Sequence, residues 1–233
     1  MQIIILKNKV FHFSICFIFV TIFGTLHHEI GHIVTAKFLG YDTILHHSSM
    51  EWNNDVKLRV TNFYVKNESV IIEKKPFQNS QQYYKKLDKI YYDDFLIILG
   101  GVLHTIITGS IAFFILIFNN KLKLSRIPFW SLVFLSLFWS REIFNLFRGV
   151  LQFIFKKSTS LFWGDELKLS IYLNLYEGTI SILLGILGIL ISLFVFFKII
   201  PIKYRFSFII SGFIGSLIGY IFWMFLIGPL ILP

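Results

Sequence analysis

Charge and cysteine are both scarce in this chain. Only 15% of its 233 residues are charged and 55% are hydrophobic, whereas soluble domains carry about 25% charged residues. An ordinary soluble domain is therefore excluded, and the composition indicates an integral membrane protein. Cys16 is the single cysteine, so an intramolecular disulfide and a zinc site built from several thiolates are excluded as well.

Basic residues exceed acidic ones and give a net charge of +9, but they are spread over the loops between apolar runs. Nucleic-acid binding requires a concentrated basic stripe, so we expect no nucleic-acid partner. The basic residues suit contact with anionic lipid and orientation in the bilayer. Short segments on the N-terminal side carry only basic charges, which favours that side as cytoplasmic; these residues are Lys7, Lys9, Lys121, Lys123, Arg126, Lys198, Lys203 and Arg205. We expect the membrane to be the cell (inner) membrane.

Five apolar runs are long enough to cross a hydrocarbon core of about 30 Å. They cover roughly residues 11–39, 95–118, 127–147, 179–200 and 206–231. We predict a single domain over residues 1–233, an all-α membrane protein built as a polytopic bundle of about five transmembrane helices. A cleavable signal peptide is the alternative for the first run, but the run continues past Leu26 with no small-residue cleavage site before it, which favours a retained helix.

A polar segment at residues 41–94 separates the first two runs and predicts a small, partly β extramembrane element. The stretch 57–65 is rich in β-formers and residues 70–72 follow it, so we predict strands there, with Asn67, Glu68 and Ser69 in the turn between them. The tract 78–92, rich in Tyr, Lys and Gln, is predicted to be an interfacial helix. A segment of this size suits capping or gating of a site.

The most specific pattern is His28-Glu29-Ile30-Gly31-His32, inside the first apolar run. On a helix, side chains four residues apart lie on one face, so His28 and His32 can bind one zinc ion. Glu29 lies beside the pair, where it can act as general base toward a zinc-activated water. The alternative is a helix end that carries polar residues at a membrane interface, but ionisable groups in lipid are costly and usually mark function.

Other polar residues of the helices are predicted to lie near the same membrane face as this motif. His28 lies about 29 Å along the first helix at 1.5 Å per residue, toward the side that holds the polar segment. The start of the second helix and the end of the third reach that side too, because successive helices alternate in direction. The group comprises Gly100, Gly101, His104, Arg141, Glu142, Asn145, Arg148 and, in the connection that follows, Asp165. It predicts one polar cavity open to that side.

The third metal ligand is predicted from the same topology. A catalytic zinc takes three protein ligands and leaves the fourth position for water. Asp165 is our prediction, because it follows Gly164 in the connection on the correct side, and Glu166 is the adjacent alternative. Glu142 is a weaker alternative, since neighbouring arginines can neutralise it. Asp165 can also be explained as an acidic residue that begins a helix, where it interacts favourably with the dipole.

Two further features each have two interpretations. His104 can donate a hydrogen bond to the substrate carbonyl or to the oxyanion that forms on attack, or it can be an ordinary polar contact between helices. Gly215 and Gly219 form a G-x-x-x-G pair in the fifth run. Such a pair indicates close packing inside the bundle or a contact between copies in a homo-oligomer.

These motifs carry a family resemblance. The stretch from His28 to Gly40 resembles the zinc helix of site-2-protease-like intramembrane metallopeptidases, which share the Gly before the second His, the Ala four residues later and the Gly four beyond that. Gly100-Gly101-Val102-Leu103-His104 is similar to the family's small-Gly-Pro-x-x-Asn element, with Val102 replacing Pro and His104 replacing Asn. Asn145-Leu146-Phe147 followed by Gly164-Asp165 resembles the family's Asn-Leu-x-Pro and Asp-Gly elements, which supply the third ligand; here the Pro is absent, the Gly precedes the Asp and the spacing is long.

The resemblance implies a zinc-dependent, membrane-embedded endopeptidase that hydrolyses membrane-associated protein or peptide substrates within or near the bilayer. Its implied site holds Zn2+ on His28, His32 and Asp165, with Glu29 and His104 as catalytic residues. Two other classes are a catalytically inactive relative that acts as a membrane binding or regulatory protein, and a metal or proton transporter. The intact Glu29 argues against the first, and the gathering of polar groups at one side of the membrane argues against the second.

Overall fold

The structure is a computed structural model that describes residues 6–118, 123–156 and 162–232. Lys121, one of the residues in the charge argument for orientation, lies outside the described residues. The helices are α1 (Lys7–Phe38), α2 (Asp55–Ile72), α3 (Ser80–Ile117), α4 (Arg126–Ser136), α5 (Ser140–Lys156), α6 (Asp165–Tyr172), α7 (Thr179–Phe194), α8 (Ile202–Ile221) and α9 (Gly228–Ile231), and the strands are β1 (Asp42–Leu45) and β2 (Met50–Asn53).

Within the described ranges, five helices are long and apolar enough to cross a membrane. They are Lys7–Phe38, Ser80–Ile117, Arg126–Gln152, Thr179–Ile199 and Ile202–Ile231. This confirms the predicted all-α polytopic bundle with a small, partly β segment between its first two spans. A helix satisfies every backbone hydrogen bond within the segment, which is why apolar runs of this length fold as helices in lipid.

The last three spans are not uniform α-helices. A 3₁₀ turn at Leu137–Trp139 joins α4 to α5, and π-helical segments at Val195–Ile199 and Phe222–Ile227 follow α7 and α8. Ser136 and Phe138 are buried at the 3₁₀ turn, and the Ser136 hydroxyl donates to the carbonyl of Val133. The 3₁₀ turn interrupts the regular helix between α4 and α5.

An aromatic core fills the half of the bundle that surrounds the start of α1. Phe13 and Phe17 pack against Phe134 of α4 and Phe208 of α8, with ring centroids between 4.9 and 6.4 Å apart. Aromatic pairs of this kind contribute about 0.5–1.5 kcal/mol beyond the area they bury. The histidine motif of α1 lies toward its other end, so the aromatic core and the candidate metal ligands occupy separate halves of the bundle.

Helix α8 packs closely along α1 through small residues. A Cβ on Gly215 would lie 2.4 Å from the carbonyl oxygen of Ser14, and one on Gly219 would lie 2.9 Å from the Cα of Ile18. Neither glycine has room for a side chain, because the backbones of the two helices are in contact. The G-x-x-x-G pair therefore packs α8 against α1 inside the bundle, which is the first of the two interpretations given for it.

The polar segment differs from the prediction. Residues 57–65 and 70–72, which were predicted to be strands, are helical and belong to α2. The side chain of Asn54 accepts a hydrogen bond from the backbone of Lys57 and caps the helix start. Phe63 then packs against Phe77 and Tyr83, and this tertiary contact outweighs the β propensity of the stretch. The predicted turn at Asn67 coincides with a kink, where the backbone leaves helical geometry.

The strands lie earlier in the segment than predicted. β1 and β2 form a two-stranded antiparallel hairpin in which Thr43 pairs with Trp52 and Leu45 with Met50. Tyr41 and Trp52 stack edge to face with ring centroids 4.7 Å apart, and both pack over Ala36 at the end of α1. The hairpin therefore covers the end of α1 that carries the histidines.

Of the tract 78–92, which was predicted to be an interfacial helix, residues 80–92 are helical and continue directly into the second span. Together they form α3, whose 38 residues extend about 57 Å at 1.5 Å per residue, well beyond a hydrocarbon core of about 30 Å. The hairpin turn is also tied to the end of the chain: the indole of Trp223 donates to the carbonyl of His47, and the backbone of His47 donates to Leu232. The polar segment and the C-terminal helix thus lie at the same end of the bundle, as the odd number of spans predicts.

Candidate metal centre

Three side chains from two distant parts of the chain converge at the end of α1. The Nε2 atom of His28 lies 2.8 Å from Oδ2 of Asp165, and Nε2 of His32 lies 3.3 Å from the same oxygen. The two Nε2 atoms are 3.0 Å apart. Among the described residues, these three form the group of His, Cys, Asp and Glu side chains whose ligand atoms are close enough to share a metal ion. The structure thus brings together all three predicted ligands.

The tautomers of both histidines follow from their other ring nitrogens. Nδ1 of His32 lies 2.7 Å from the carbonyl oxygen of Ile97, which can only accept, so this nitrogen carries the proton. Thr105 donates its hydroxyl proton to the carbonyl of Gly101, so its oxygen accepts from Nδ1 of His28 at 3.1 Å. Each neutral imidazole therefore directs the lone pair of Nε2 toward Asp165, the arrangement found in metal-binding histidines.

Glycines allow α1 and α3 to approach closely enough for this arrangement. A Cβ on Gly31 would lie 2.8 Å from the carbonyl oxygen of Gly100, and one on Gly101 would lie 2.3 Å from Nε2 of His32. The imidazole of His32 therefore packs flat against the backbone of α3. This contact explains physically why small residues precede His104 in the sequence.

Helix α6 carries Asp165 into the site. Gly164, just before it, has φ +91° and ψ −164°, a conformation that favours glycine, and the chain turns there to begin the helix. Leu169 packs against Ile98 and Val102 of α3. At the far end of α6, the hydroxyl of Tyr172 donates to the carboxylate of Asp94. The middle and the C-terminal end of α6 are thus fixed to α3, and the start of the helix places Asp165 next to the histidines.

The charge state of Asp165 depends on these neighbours. Burial raises the pKa of its carboxyl group, but a proton carried on Nε2 of His28 or His32 outweighs burial and holds the pKa of Asp165 well below its usual range. With such a proton, or a cation, between the three atoms, Asp165 is a carboxylate at neutral pH. Its side chain is 18% exposed, whereas those of His28 and His32 are 1% and 7% exposed.

The donor set fits a zinc ion. Two imidazole nitrogens and one carboxylate oxygen are typical zinc ligands, and at bond lengths of about 2.0–2.1 Å, tetrahedral ligands are about 3.3 Å from each other. The observed separations of 2.8 to 3.3 Å require shifts of only a few tenths of an ångström. Since all three atoms are lone-pair acceptors, a proton or a cation between them is needed to stabilise the arrangement.

Glu29 and His104, the two predicted catalytic residues, lie in different environments. Glu29 follows His28 on α1 and is 8% exposed, and its carboxyl group is close enough to His32 and Asp165 to interact with them electrostatically. His104 instead stacks on His27 with ring centroids 4.0 Å apart, and its Nδ1 donates to the carbonyl of His27. His104 thus makes the contact between helices that was its second interpretation, and its catalytic role stays a prediction.

Sequence reasoning missed the position of Arg141. One guanidinium nitrogen, Nη2, lies 2.8 Å from Nε2 of His28, and Nη1 lies 3.0 Å from Oε1 of Glu166. Glu142 and Glu166, the alternative ligands, are both fully buried and lie beside this guanidinium rather than in the metal group. An arginine in an apolar span was the available signal, but its partners depend on contacts between α1, α5 and α6 that the sequence does not reveal.

Comparisons of this chain with protein-family models, with curated proteins and with solved structures found no match.

Proposed function

We propose that this protein is a zinc-dependent endopeptidase of the membrane, related to the site-2-protease-like enzymes that its motifs resemble. The observation that supports this most directly is the convergence of His28, His32 and Asp165, with Glu29 beside them, at one end of the bundle. Substrates are membrane-associated proteins or peptides, because the site lies among apolar helices and close to one membrane face. We place the protein in the cell (inner) membrane, and the basic residues of the opposite end favour an orientation in which the site faces away from the cytoplasm.

The residues of the chain divide the chemistry between them. His28, His32 and Asp165 hold the ion, which when bound supplies Lewis-acid activation of water and of the scissile carbonyl. The Glu29 carboxylate accepts a proton from the attacking water and returns it to the leaving amine. Thr105 and the carbonyl of Ile97 fix the two imidazoles in the tautomer that binds a metal.

The β1–β2 hairpin is suited to hold a substrate. A peptide bond inside a helix is protected by its own hydrogen bonds, so a substrate has to be extended before it is cut. Among the described residues the sheet has two strands, so each strand has one edge that no other described strand covers. An extended segment can pair with such an edge through its backbone. The hairpin packs over Ala36, one turn after His32, so a segment paired there would lie next to the metal group.

Substitution of Glu29 tests this function. Glu29→Gln keeps the shape of the side chain and removes its basicity, and loss of a general base lowers the rate by about 10²–10⁴-fold. The measurement is a comparison of membrane proteins and secreted peptides from cells with wild-type protein or the variant, followed by cleavage of the identified substrate by purified protein. The exposed Glu68→Gln is the matched control. Full activity of Glu29→Gln in a purified sample would exclude the mechanism.

The predicted orientation has its own test. A reporter fused to the C-terminus, which lies at the same end as the hairpin, is expected to report a location outside the cytoplasm. A cytoplasmic signal would reverse the orientation without affecting the assignment of the site.

A further inference from the structure

Arg141 lies at the metal group although metal binding does not require it. Its Nη2 atom is 2.8 Å from Nε2 of His28 and 3.5 Å from Oδ2 of Asp165. An arginine in a membrane span is costly, so one that is kept there and directed at a functional group usually has a role. Arg141 lies in the first turn of α5, and Asn145 lies one turn later on the same face of that helix.

The contact with His28 creates a competition. Nδ1 of His28 carries the proton, because it donates to Thr105, so Nε2 has a single lone pair. That lone pair accepts a hydrogen bond from the guanidinium of Arg141 in the structure. The same lone pair is the one that would bind a metal ion, and it cannot do both. The guanidinium therefore has to leave His28 before an ion can bind there.

A second position for the guanidinium lies next to the first. Glu142 and Glu166 are fully buried, and three of their carboxylate oxygens, Oε1 and Oε2 of Glu142 and Oε2 of Glu166, accept no hydrogen bond from the residues that the structure describes. Nη1 of Arg141 already lies 3.0 Å from Oε1 of Glu166 and 3.7 Å from Oε1 of Glu142. Buried acceptors without donors are unfavourable, and a small shift of the guanidinium toward Glu142 would supply donors to them.

We propose that Arg141 is an internal cation that exchanges with the metal ion. Without the ion, the guanidinium donates to His28 and compensates the charge of Asp165. When the ion binds, the guanidinium moves onto Glu142 and Glu166. The inference rests on the metal site of the proposed function and adds a positioning residue to it. Its consequence is that Arg141 weakens metal affinity, and Glu142 counteracts this by accepting the displaced guanidinium.

Direct binding of Co2+ to the purified full-length protein in detergent tests the competition, with the visible absorption of the bound ion as the signal. Arg141→Gln removes the competing cation, and we expect it to bind Co2+ about tenfold tighter than the wild type, within the range for residues just outside a metal's ligands. Arg148→Gln, on the same helix, removes a cation that lies over the ring of Trp163 and not at the metal group. We expect no change in affinity for that control.

A double-mutant cycle tests the second position of the guanidinium. Glu142→Gln is expected to weaken Co2+ binding about tenfold when Arg141 is present, and much less in the Arg141→Gln background. Equal losses in both backgrounds would mean that Glu142 acts on the ion directly, and this would overturn the proposal. The double variant also removes one buried charge of each sign, so it remains a usable test if Arg141→Gln alone folds poorly.

Two outcomes separate this inference from the proposed function. If the wild type binds Co2+ and His32→Ala does not, but Arg141→Gln has wild-type affinity, the metal site stands and the exchange is wrong. If the wild type and His32→Ala bind Co2+ equally weakly, the metal site itself is wrong and both proposals fail with it.

Discussion

Gly101 of α3 lies directly against the imidazole of His32: a Cβ on Gly101 would lie 2.3 Å from both Nε2 and Cε1 of that ring. The backbone of α3 thus forms one wall of the candidate metal centre. The position of His32 is set by this wall on one side and by the carbonyl of Ile97 on the other. The contact makes the site sensitive to a single methyl group.

We expect Gly101→Ala to displace His32 and to lower metal retention by about tenfold or more, because a ligand moved out of position binds the ion poorly. The measurement is the metal content of purified protein by elemental analysis. Gly24→Ala is the matched control, since a Cβ there meets only the ring of Phe138 at an ordinary 3.7 Å. Normal metal content in Gly101→Ala would show that the contact with Gly101 does not position His32 for metal binding.

The identity of the third ligand gives a second prediction. Asp165→Asn keeps the size of the side chain but removes its charge, and we expect the variant to lose the bound ion at every metal concentration that saturates the wild type. Glu142→Gln is expected to reach full occupancy at high metal concentration, because its carboxylate lies outside the metal group. Equilibrium dialysis against Zn2+ measures both. The reverse result would transfer the ligand role to Glu142.

Thr105 provides a third prediction, because its hydroxyl links His28 to the carbonyl of Gly101. Thr105→Val leaves Nδ1 of His28 without an acceptor, and loss of such a partner lowers metal affinity by about 10–100-fold. Thr105→Ser is expected to restore binding. Thr108→Val is a close control, since Thr108 lies one turn further along α3 and contacts His27 instead. Equal effects of the two valine substitutions would point to a general loss of packing.

The bundle and the main residues of the site could be predicted from the sequence, because each depends on a strong local rule. Long apolar runs fold as helices in lipid, and residues four apart on a helix share a face. The prediction of Asp165 also required the topology. Because successive spans alternate in direction, the connection that contains Asp165 was expected on the side of the histidines, and α6 places Asp165 next to His28.

The helical structure of α2 and the contacts of Arg141 could not be predicted, because both depend on tertiary contacts that no local sequence pattern indicates. α2 was predicted as strands because Val60, Thr61 and Val65 favour them, yet the cap at Asn54 and the packing of Phe63 on Tyr83 form a helix. Arg141 was predicted to lie on the side of the motif and to neutralise Glu142, but its contact with His28 was not predicted. Its reach to His28 requires α5 and α1 to meet at a particular rotation, which side-chain packing sets.

The anchor between α6 and α3 gives a last prediction, with a defined pH dependence. Burial and the hydrogen bond to Asp94 raise the pKa of Tyr172. A group with a raised pKa in the folded state stabilises the fold fully below its unfolded pKa, about 10 for tyrosine, and this contribution is lost as the pH rises through the folded value. Tyr172→Phe removes the bond, and we expect it to lower the free energy of unfolding by about 1–3 kcal/mol at pH 7.

The stability difference between wild type and Tyr172→Phe should therefore narrow as the pH is raised above about 10, when measured by thermal unfolding in detergent. Both proteins carry the same other ionisable groups, so the comparison isolates Tyr172. Tyr91→Phe is the control, because Tyr91 packs on Tyr172 with ring centroids 4.4 Å apart and keeps its ring in the variant. A difference that is absent at neutral pH, or that widens in alkali, would mean that the bond to Asp94 does not hold α6, and Asp165 with it, against α3.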